Sequence, residues 1–386
     1  MADIRILTRL FNQFFNSERS GGIILIICTA VSLVLTNSIN EVYTGLWTVP
    51  VANHSLVHWI NDGLMTIFFL LIGLELEREL YIGELSDLRN AMLPLFAALG
   101  GMLFPAGIYL LFNPTGEGSA GAGIPMATDI AFSLAVLSML GKRVPSSLKV
   151  FLTALAVVDD LGAIIVIAIF YTGTLNLASL GIATAIFILL LVLNRLKVHN
   201  LLPYLAGGIA MWYFMLSSGI HATITGVLLA FAIPFGRGDK QSPSYILQEF
   251  LHIPVAYVIL PLFALANTCI PVDGDALPGL GSFISLGIIA GLLFGKPAGI
   301  LLFSYLTTTF KISSLPSDLK WTHVLGAGML AGIGFTMSIF ITLLAFSDPL
   351  MVSLSKLSVM AGSLLAGIAG FVWLSRNLRQ AEPVVR

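Results

Sequence analysis

Long apolar runs follow one another along almost the whole chain of 386 residues, and they limit its fold more than any other feature. A helix that crosses a membrane needs about 20 predominantly apolar residues. Charged residues make up only 10 % of the chain, too few to cover a water-facing surface of ordinary composition. Twelve runs approach the length of a membrane crossing: roughly 21–37, 57–78, 91–112, 124–140, 147–171, 177–195, 201–217, 219–235, 247–270, 280–309, 323–346 and 354–375.

We therefore predict an all-α polytopic membrane protein with twelve transmembrane helices in a single domain, residues 1–386. The runs are apolar on every side, whereas the strands of a membrane β-barrel alternate polar and apolar residues. The net charge of −1 does not indicate a nucleic-acid partner. Cys28 and Cys269 are too few for a disulfide framework or a metal cluster, so we expect them to be lipid- or core-facing thiols.

The loops alternate between those that contain Lys and Arg and those that contain neither. With twelve helices, 17 of the 19 basic residues fall on one side, and the exceptions are Lys296 and Lys356. Because cytoplasmic loops retain Lys and Arg, both termini are predicted to be cytoplasmic. Thr36-Asn37-Ser38 is a poor cleavage site for a signal peptidase, so we expect the first run to stay in the protein.

Ionisable residues stand out at three places inside the apolar runs. Asp159 and Asp160 are at the centre of the fifth run, Lys296 is at the centre of the tenth, and Asp129 is in the fourth. A charged residue at mid-bilayer costs at least about 2.5–3.5 kcal/mol, so each one is a functional candidate. The simplest arrangement pairs Lys296 with one of the aspartates.

The adjacent Asp159 and Asp160 are the most informative of these residues. Neighbouring helical residues point about 100° apart, so one carboxylate can face a cavity while the other faces Lys296. In a medium of low dielectric constant we expect at least one carboxyl to exchange protons near neutral pH. When ionised, it offers hard oxygen ligands that suit a hard cation. This indicates an ion/proton exchanger; the alternative is a structural salt bridge with a polar packing residue.

Two runs are interrupted by glycine or proline next to small hydroxyl residues. The fourth opens with GIPMATD (123–129), and the eleventh contains GIGFTMS (332–338). Such residues break the helical hydrogen-bond ladder, and backbone freed at membrane depth must line a cavity. The two runs are the second members of the triplets 3–5 and 10–12, which begin on opposite sides of the membrane. This favours an inverted-topology repeat with interrupted helices 4 and 11, although packing kinks would also explain the glycines.

Broken helices leave opposed dipole ends at mid-membrane. Two N-terminal ends that meet there are positive, and two C-terminal ends are negative. We expect Asp129 to balance the first pair of ends and Lys296 to balance the second.

At these positions the sequence resembles the NhaA-type Na+/H+ antiporters of bacteria. The similar stretches cover nearly the whole chain: SGGIILI, WINDGLMTIFFLLIGLELEREL, ATDIAFSLAVL, LAVVDDLGAIIVIAIFYT, SGIHATITGVL, PLFALAN, GIIAGLLFGKPAGI and GIGFTMSIFI. The resemblance implies that Asp160 and Asp159 carry the exchange of Na+ or Li+ against protons. It also implies that Lys296 pairs with Asp159, and that Thr128 and Asp129 line the site.

The resemblance implies further roles nearer the two membrane surfaces. Glu75, Arg78 and Glu79 belong to a cytoplasmic entry funnel that responds to pH, although they would also suit a solvated helix end. His221 matches a position associated with the pH response, and the alternative is a packing histidine. Asp62, near the outer end of the second run, is either part of the pathway or an interfacial polar residue.

Two features depart from the family pattern. The ninth run begins with Gln248-Glu249 where the family usually has Glu-His, while His252 is retained. Glu249 and His252 are therefore still assigned to the pH response, with an open activation range. The outer loop 38–56 is shorter than the segment that forms a dimerising hairpin in the family, which leaves a homodimer open.

The resemblance thus implies an electrogenic, pH-regulated antiporter of the bacterial inner membrane that exports Na+ or Li+ and admits protons. We expect it to be a transporter and not an enzyme, to have membrane lipid as its partner, and to need no cofactor. A sodium-coupled solute symporter on a similar inverted repeat is the alternative. A cation channel is a third reading, but a channel does not need a titrating Asp-Asp pair beside a lysine.

Overall fold

The computed structural model describes residues 2–271 and 279–378, without the side chains of 2–19, 84 and 88–90. The helices are α1 (Ala2–Ser38), α2 (Asn40–Thr48), α3 (Leu56–Tyr81), α4 (Leu88–Phe112), α5 (Ile130–Met139), α6 (Ser146–Phe170), α7 (Leu177–Arg195), α8 (Leu202–Leu216), α9 (Ile224–Ala232), α10 (Pro243–Asn267), α11 (Phe283–Thr309), α12 (Trp321–Ala331), α13 (Phe335–Ala345) and α14 (Pro349–Asn377). A 3-10 helix, Glu117–Met126, precedes α5, and two further 3-10 turns are Glu84–Ser86 and Gly141–Arg143. The predicted cytoplasmic residues Arg379 and Arg386 lie outside the described residues.

The described helices confirm a mostly helical, multi-pass membrane protein. Eight of them are long and apolar enough to cross a membrane, and two bent pairs raise the number to ten. The predicted crossings 201–217 and 219–235 are shorter than expected: α8 has 15 residues and α9 has 9. The chain turns between them at Gly219, whose φ is +88°, and the loop carbonyls of Ser218 and Gly219 accept backbone hydrogen bonds from the loop after α6.

The fourth and eleventh runs are both interrupted, as the glycine and proline pattern predicts. The 3-10 helix Glu117–Met126 meets α5 at a bend of 42°, and α12 meets α13 at a bend of 47°. The two breaks touch, because the backbone N–H of Asp129 donates to the carbonyl of Ile333 at 2.6 Å. Gly334 permits this approach, since a Cβ there would lie 2.1 Å from Ser338 Oγ and 3.1 Å from Ala127 O.

Glycines bring α4 and α11 into backbone contact beside the charged residues. A Cβ on Gly100 would lie 2.2 Å from the carbonyl oxygen of Gly299, and a Cβ on Gly299 would lie 2.1 Å from that of Gly100. Nearer the start of α11, Gly291 packs on Pro125 and Gly295 packs on Pro105. Small residues of this kind let membrane helices approach closely, which here brings Lys296 towards the interior of the bundle.

Three helices contain a π-helical segment, which holds extra backbone per turn. These segments are Trp59–Leu64 in α3, Val255–Ile259 in α10 and Gly291–Gly295 in α11. The first contains Asp62, and the last ends directly before Lys296. Single π-turns inside α-helices are frequent at functional sites because they redirect the side chains that follow.

The loop 38–56 forms a small antiparallel hairpin after the short helix α2. Strand β1 (Pro50–Val51) pairs with β2 (His54–Ser55), with Pro50 opposite Ser55 and Val51 opposite His54. Ala52 and Asn53 have positive φ angles of 48° and 69°, as the tight turn between such short strands requires. The loop expected to be short therefore still contains a hairpin, of two residues per strand.

Candidate functional site

A buried ion pair lies where α6 and α11 meet the two helix breaks. Lys296 Nζ is 2.9 Å from Asp159 Oδ2, and both side chains are fully buried. The same carboxylate oxygen accepts a hydrogen bond of 2.7 Å from Thr128 Oγ1. Lys296 also donates to the carbonyl of Met126, the last residue of the 3-10 helix before the break. The ammonium group is thus held between a carboxylate and a helix end.

Asp160 has a different environment from its neighbour. Its side chain is buried, and among the residues that the structure describes neither its Oδ1 atom nor that of Asp159 has a hydrogen-bond partner. An ionised carboxylate away from water is costly unless its oxygens are paired. The two free oxygens therefore favour a bound proton or a bound cation, and this is the chemistry that an exchange site requires.

Asp129 caps two half-helices at once. Its Oδ1 atom accepts the backbone N–H of Phe132 at 3.0 Å, at the start of its own helix α5. Its Oδ2 atom accepts the backbone N–H of Thr336 at 3.1 Å and the hydroxyl of Thr336 at 2.5 Å, at the start of α13. One buried carboxylate therefore meets the positive N-terminal ends of both α5 and α13.

The opposite, negative ends are met by donors. Lys296 donates to Met126 O at the end of the 3-10 helix, and Thr128 Oγ1 lies 3.0 Å from Ala331 O at the end of α12. The hydroxyl of Ser338, in α13, donates to Ile124 O at 2.7 Å and links the two interrupted segments. Asp129 thus contacts both positive ends, as expected, whereas Lys296 contacts one of the two negative ends that it was expected to balance and Thr128 lies at the other.

Several residues of this centre were not singled out from the sequence. Thr336 lies in the GIGFTMS stretch, and its position beside a break is the signal that would have identified it. Ser363, in α14, accepts hydrogen bonds of 3.2 Å from the backbone N–H groups of Gly334 and Phe335, and no motif marks it. Glu77 lies between the assigned residues of the LELERE stretch; it is only 4 % exposed, and its Oε2 atom has no hydrogen-bond partner.

The structure brings Asp62 and His221 together in a separate cluster. His221 Nε2 lies 3.4 Å from Asp62 Oδ1, and His58 Nδ1 lies 2.9 Å from Asp62 Oδ2. The other ring nitrogen of His221 lies 2.9 Å from Thr223 Oγ1. The imidazole of His221 also meets the ring of Phe340 edge-on at 5.4 Å, so this cluster contacts the half-helix α13.

A second cluster joins the end of α3 to α10. His252 Nε2 lies 3.4 Å from Glu75 Oε1, and the guanidinium of Arg78 lies 5.7 Å from the ring centroid of Tyr245. Glu79 is partly buried, one turn before the end of α3. Glu249, which was grouped with these residues, has an exposed side chain, because it lies on the outer side of α10.

Comparison with known proteins identifies the family of the chain. A family model described as "Na+/H+ antiporter 1" matches residues 12–374. A Na(+)/H(+) antiporter NhaA 1 of Flavobacterium johnsoniae is 60 % identical over 369 residues, which are 95 % of this chain and 97 % of that protein. A Na(+)/H(+) antiporter NhaA of Escherichia coli O1:K1 / APEC is 47 % identical over 384 residues, 95 % and 98 % of the two chains.

A solved structure of the sodium proton antiporter MjNhaP1 from Methanocaldococcus jannaschii shares the fold. Its TM-score is 0.50 at 14 % sequence identity, and the match covers 96 % of this chain and 97 % of that one. The family model and the relatives are those of Na+/H+ antiporters, so this multi-pass chain is a membrane transporter and not an enzyme. The chain belongs to the Na+/H+ antiporter 1 family. These matches do not support the alternative of a sodium-coupled solute symporter.

Proposed function

We propose that this chain exchanges cytoplasmic Na+ or Li+ for external protons. The observation that carries the proposal is the pair of unpartnered carboxylate oxygens on Asp159 and Asp160 beside Lys296, all buried where two helices are broken. Carboxylate, hydroxyl and carbonyl oxygens are the ligands that a hard cation takes. Protons and Na+ would compete for the same oxygens, which couples their transport.

In this mechanism Asp160 is the primary ligand of the cation. A cation bound between Asp160 and Asp159 weakens the attraction of Asp159 for the ammonium group of Lys296. The carbonyl of Met126 is then the remaining contact of Lys296. When the cation leaves, one proton binds Asp160 and a second binds to the Lys296–Asp159 pair, either at the amine or at the carboxylate, after which the ammonium and carboxylate pair again as seen here. Thr128 and Asp129 line the site from the broken segment. Because more than one group takes up a proton for each ion, the exchange would be electrogenic.

The proposal includes twelve membrane crossings with both termini in the cytoplasm. Support comes from the two bent pairs and from the alternation of basic loops; α8 and α9 would complete the count as short crossings. The triplets around the two breaks would form an inverted repeat that moves as a rigid body to alternate access to the site. The proposal also includes the location of the protein, which in a bacterium would be the inner membrane.

We assign pH response to residues outside the ion site. On the cytoplasmic side these are Glu75, Arg78, Glu79 and His252, of which Glu75 and His252 already lie within 3.4 Å of each other. On the outer side they are His221 and Asp62, which lie equally close. In both pairs a histidine ring faces a carboxylate, so protonation of the ring would create a charge pair, and such a change of charge is what a pH response requires.

Further proposals concern what the protein works with. The ions are its cargo, and no cofactor takes part in the mechanism. Membrane lipid surrounds the protein, and the outer hairpin Pro50–Ser55 offers an exposed edge through which two copies can pair as a homodimer. A stretch of short strands alone buries little area, so this dimer would need additional helix contacts.

The exchange is tested in inverted membrane vesicles that carry an imposed pH gradient and a lumenal pH dye. Addition of Na+ or Li+ is expected to dissipate the gradient with the wild-type protein and not with Asp160→Asn, because the amide can neither bind the proton nor ligate the cation as a carboxylate. Asp348→Asn is the matched control, since Asp348 only caps the exposed start of α14 and an amide still caps. Failure of Na+, Li+ and K+ to dissipate the gradient between pH 6.5 and 8.5 would contradict the proposal.

A further inference from the structure

The half-helix α13 begins in the middle of the membrane with a residue that cannot cap it. Gly334 is its N-cap and has no side chain, so the first backbone N–H groups have no local acceptor. In hydrocarbon, an unsatisfied backbone group costs several kcal/mol, so acceptors must come from elsewhere in the bundle. The acceptors are found on two other segments of the chain.

The acceptors divide the first turn of α13 between two side chains. Ser363 Oγ accepts the N–H groups of Gly334 and Phe335, both at 3.2 Å, whereas Asp129 Oδ2 accepts the N–H of Thr336. Ser363 is 5 % exposed and belongs to α14, which is otherwise a continuous helix. A neutral hydroxyl and a carboxylate therefore share the positive end of one half-helix.

We infer that Ser363 is a positioning residue for ion exchange, acting through α13 and Asp129. Ser363 accepts the N–H groups of Gly334 and Phe335, and Asp129 accepts that of Thr336. Ser363 thereby fixes the start of α13 and limits the electrostatic attraction between this positive end and Asp129. Asp129, Asp159 and Lys296 all interact electrostatically with Asp160, so a change at Asp129 is felt at the ion site. This inference rests on the proposed function.

Other buried serines of α14 provide the control. Ser358 is fully buried on the same helix, but its hydroxyl donates only to Leu354 O, one turn earlier in α14 itself. Ser358→Ala removes a buried hydroxyl of the same kind without altering the cap of α13. Any general effect of losing a buried serine from this helix will appear in both variants.

The test measures Na+-induced dissipation of a pH gradient in vesicles with the wild-type protein, Ser363→Ala and Ser358→Ala. We expect Ser363→Ala to raise the KM for Na+ by about fivefold or more and to displace the pH profile, with a smaller change in the maximal rate. Ser358→Ala should keep the wild-type KM and pH profile. A wild-type KM and profile for Ser363→Ala, or equal shifts in both variants, would overturn the inference.

A second variant keeps the test open if Ser363→Ala does not yield folded protein. Ser363→Cys fills the same place, but a thiol accepts hydrogen bonds weakly, so the same displacement of KM and pH profile is required. Wild-type values for this variant would refute the role of Ser363. Absence of exchange in the wild-type protein would instead refute the proposed function, so the two failures are distinguishable.

Discussion

Gly100→Ala should weaken the protein at the contact between α4 and α11. The new Cβ would lie 2.2 Å from Gly299 O, whereas an ordinary contact is close to 3.5 Å, so the two helices must separate by about 1 Å. Overpacking of this kind costs about 1–3 kcal/mol. An unfolding entropy of about 2.1 cal/mol/K per residue makes 1 kcal/mol correspond to about 1 °C in a chain of 386 residues, so the melting temperature should fall by about 1–4 °C.

The assay is thermal unfolding of the purified protein in detergent, followed by size-exclusion chromatography or intrinsic fluorescence. Gly107→Ala is the matched control, because Gly107 is on the same helix and a Cβ there would meet nothing within 4 Å. Gly299→Ala, which places its Cβ 2.1 Å from Gly100 O, should reproduce the effect from the other helix. If Gly100→Ala melts at the same temperature as Gly107→Ala, the close backbone contact does not hold these helices together.

Two further predictions concern charged groups. Lys296→Met should abolish exchange and destabilise the protein by about 3–5 kcal/mol, because it leaves Asp159 buried without its partner. The double variant that also carries Asp159→Asn should recover the melting temperature but not the exchange. A Lys296→Met protein as stable as the wild type would refute this reasoning. His252→Ala should displace the pH profile of exchange by about half a unit or more, because it removes the imidazole that lies 3.4 Å from the Glu75 carboxylate. Ile253→Ala, which shortens an exposed apolar side chain of the same helix, is its control, and equal profiles for the two variants would contradict the assignment.

The sequence predicts much of the charged centre because membrane burial makes each ionisable residue conspicuous. From the residues alone, Lys296 must pair with one aspartate, but helical geometry cannot say which; the choice of Asp159 depends on how α11 is rotated. That rotation includes the π-helical turn directly before Lys296, and no periodicity in the sequence reveals a π-turn. The resemblance to a family provided the pairing that local reasoning left open.

Ser363 shows what sequence patterns cannot reach. Serines are common in membrane helices, and the role of this one depends on its lying beside a break that is 28 and 29 residues away along the chain. The length of α9 was likewise missed, because the predicted run 219–235 also contains the turn at Gly219 and the residues that follow it before the helix begins at Ile224. In both cases tertiary contacts decide the outcome, and composition carries no record of them.

The double cap formed by Asp129 makes the two broken helices a single mechanical joint. Each carboxylate oxygen holds the start of a different half-helix, so neither α5 nor α13 can tilt away without releasing its share of one rigid group. A displacement that begins in one of the two interrupted segments is therefore transmitted to the other over a few ångströms. Under the proposed exchange, an ion that displaces one of these half-helices would therefore displace the other with it.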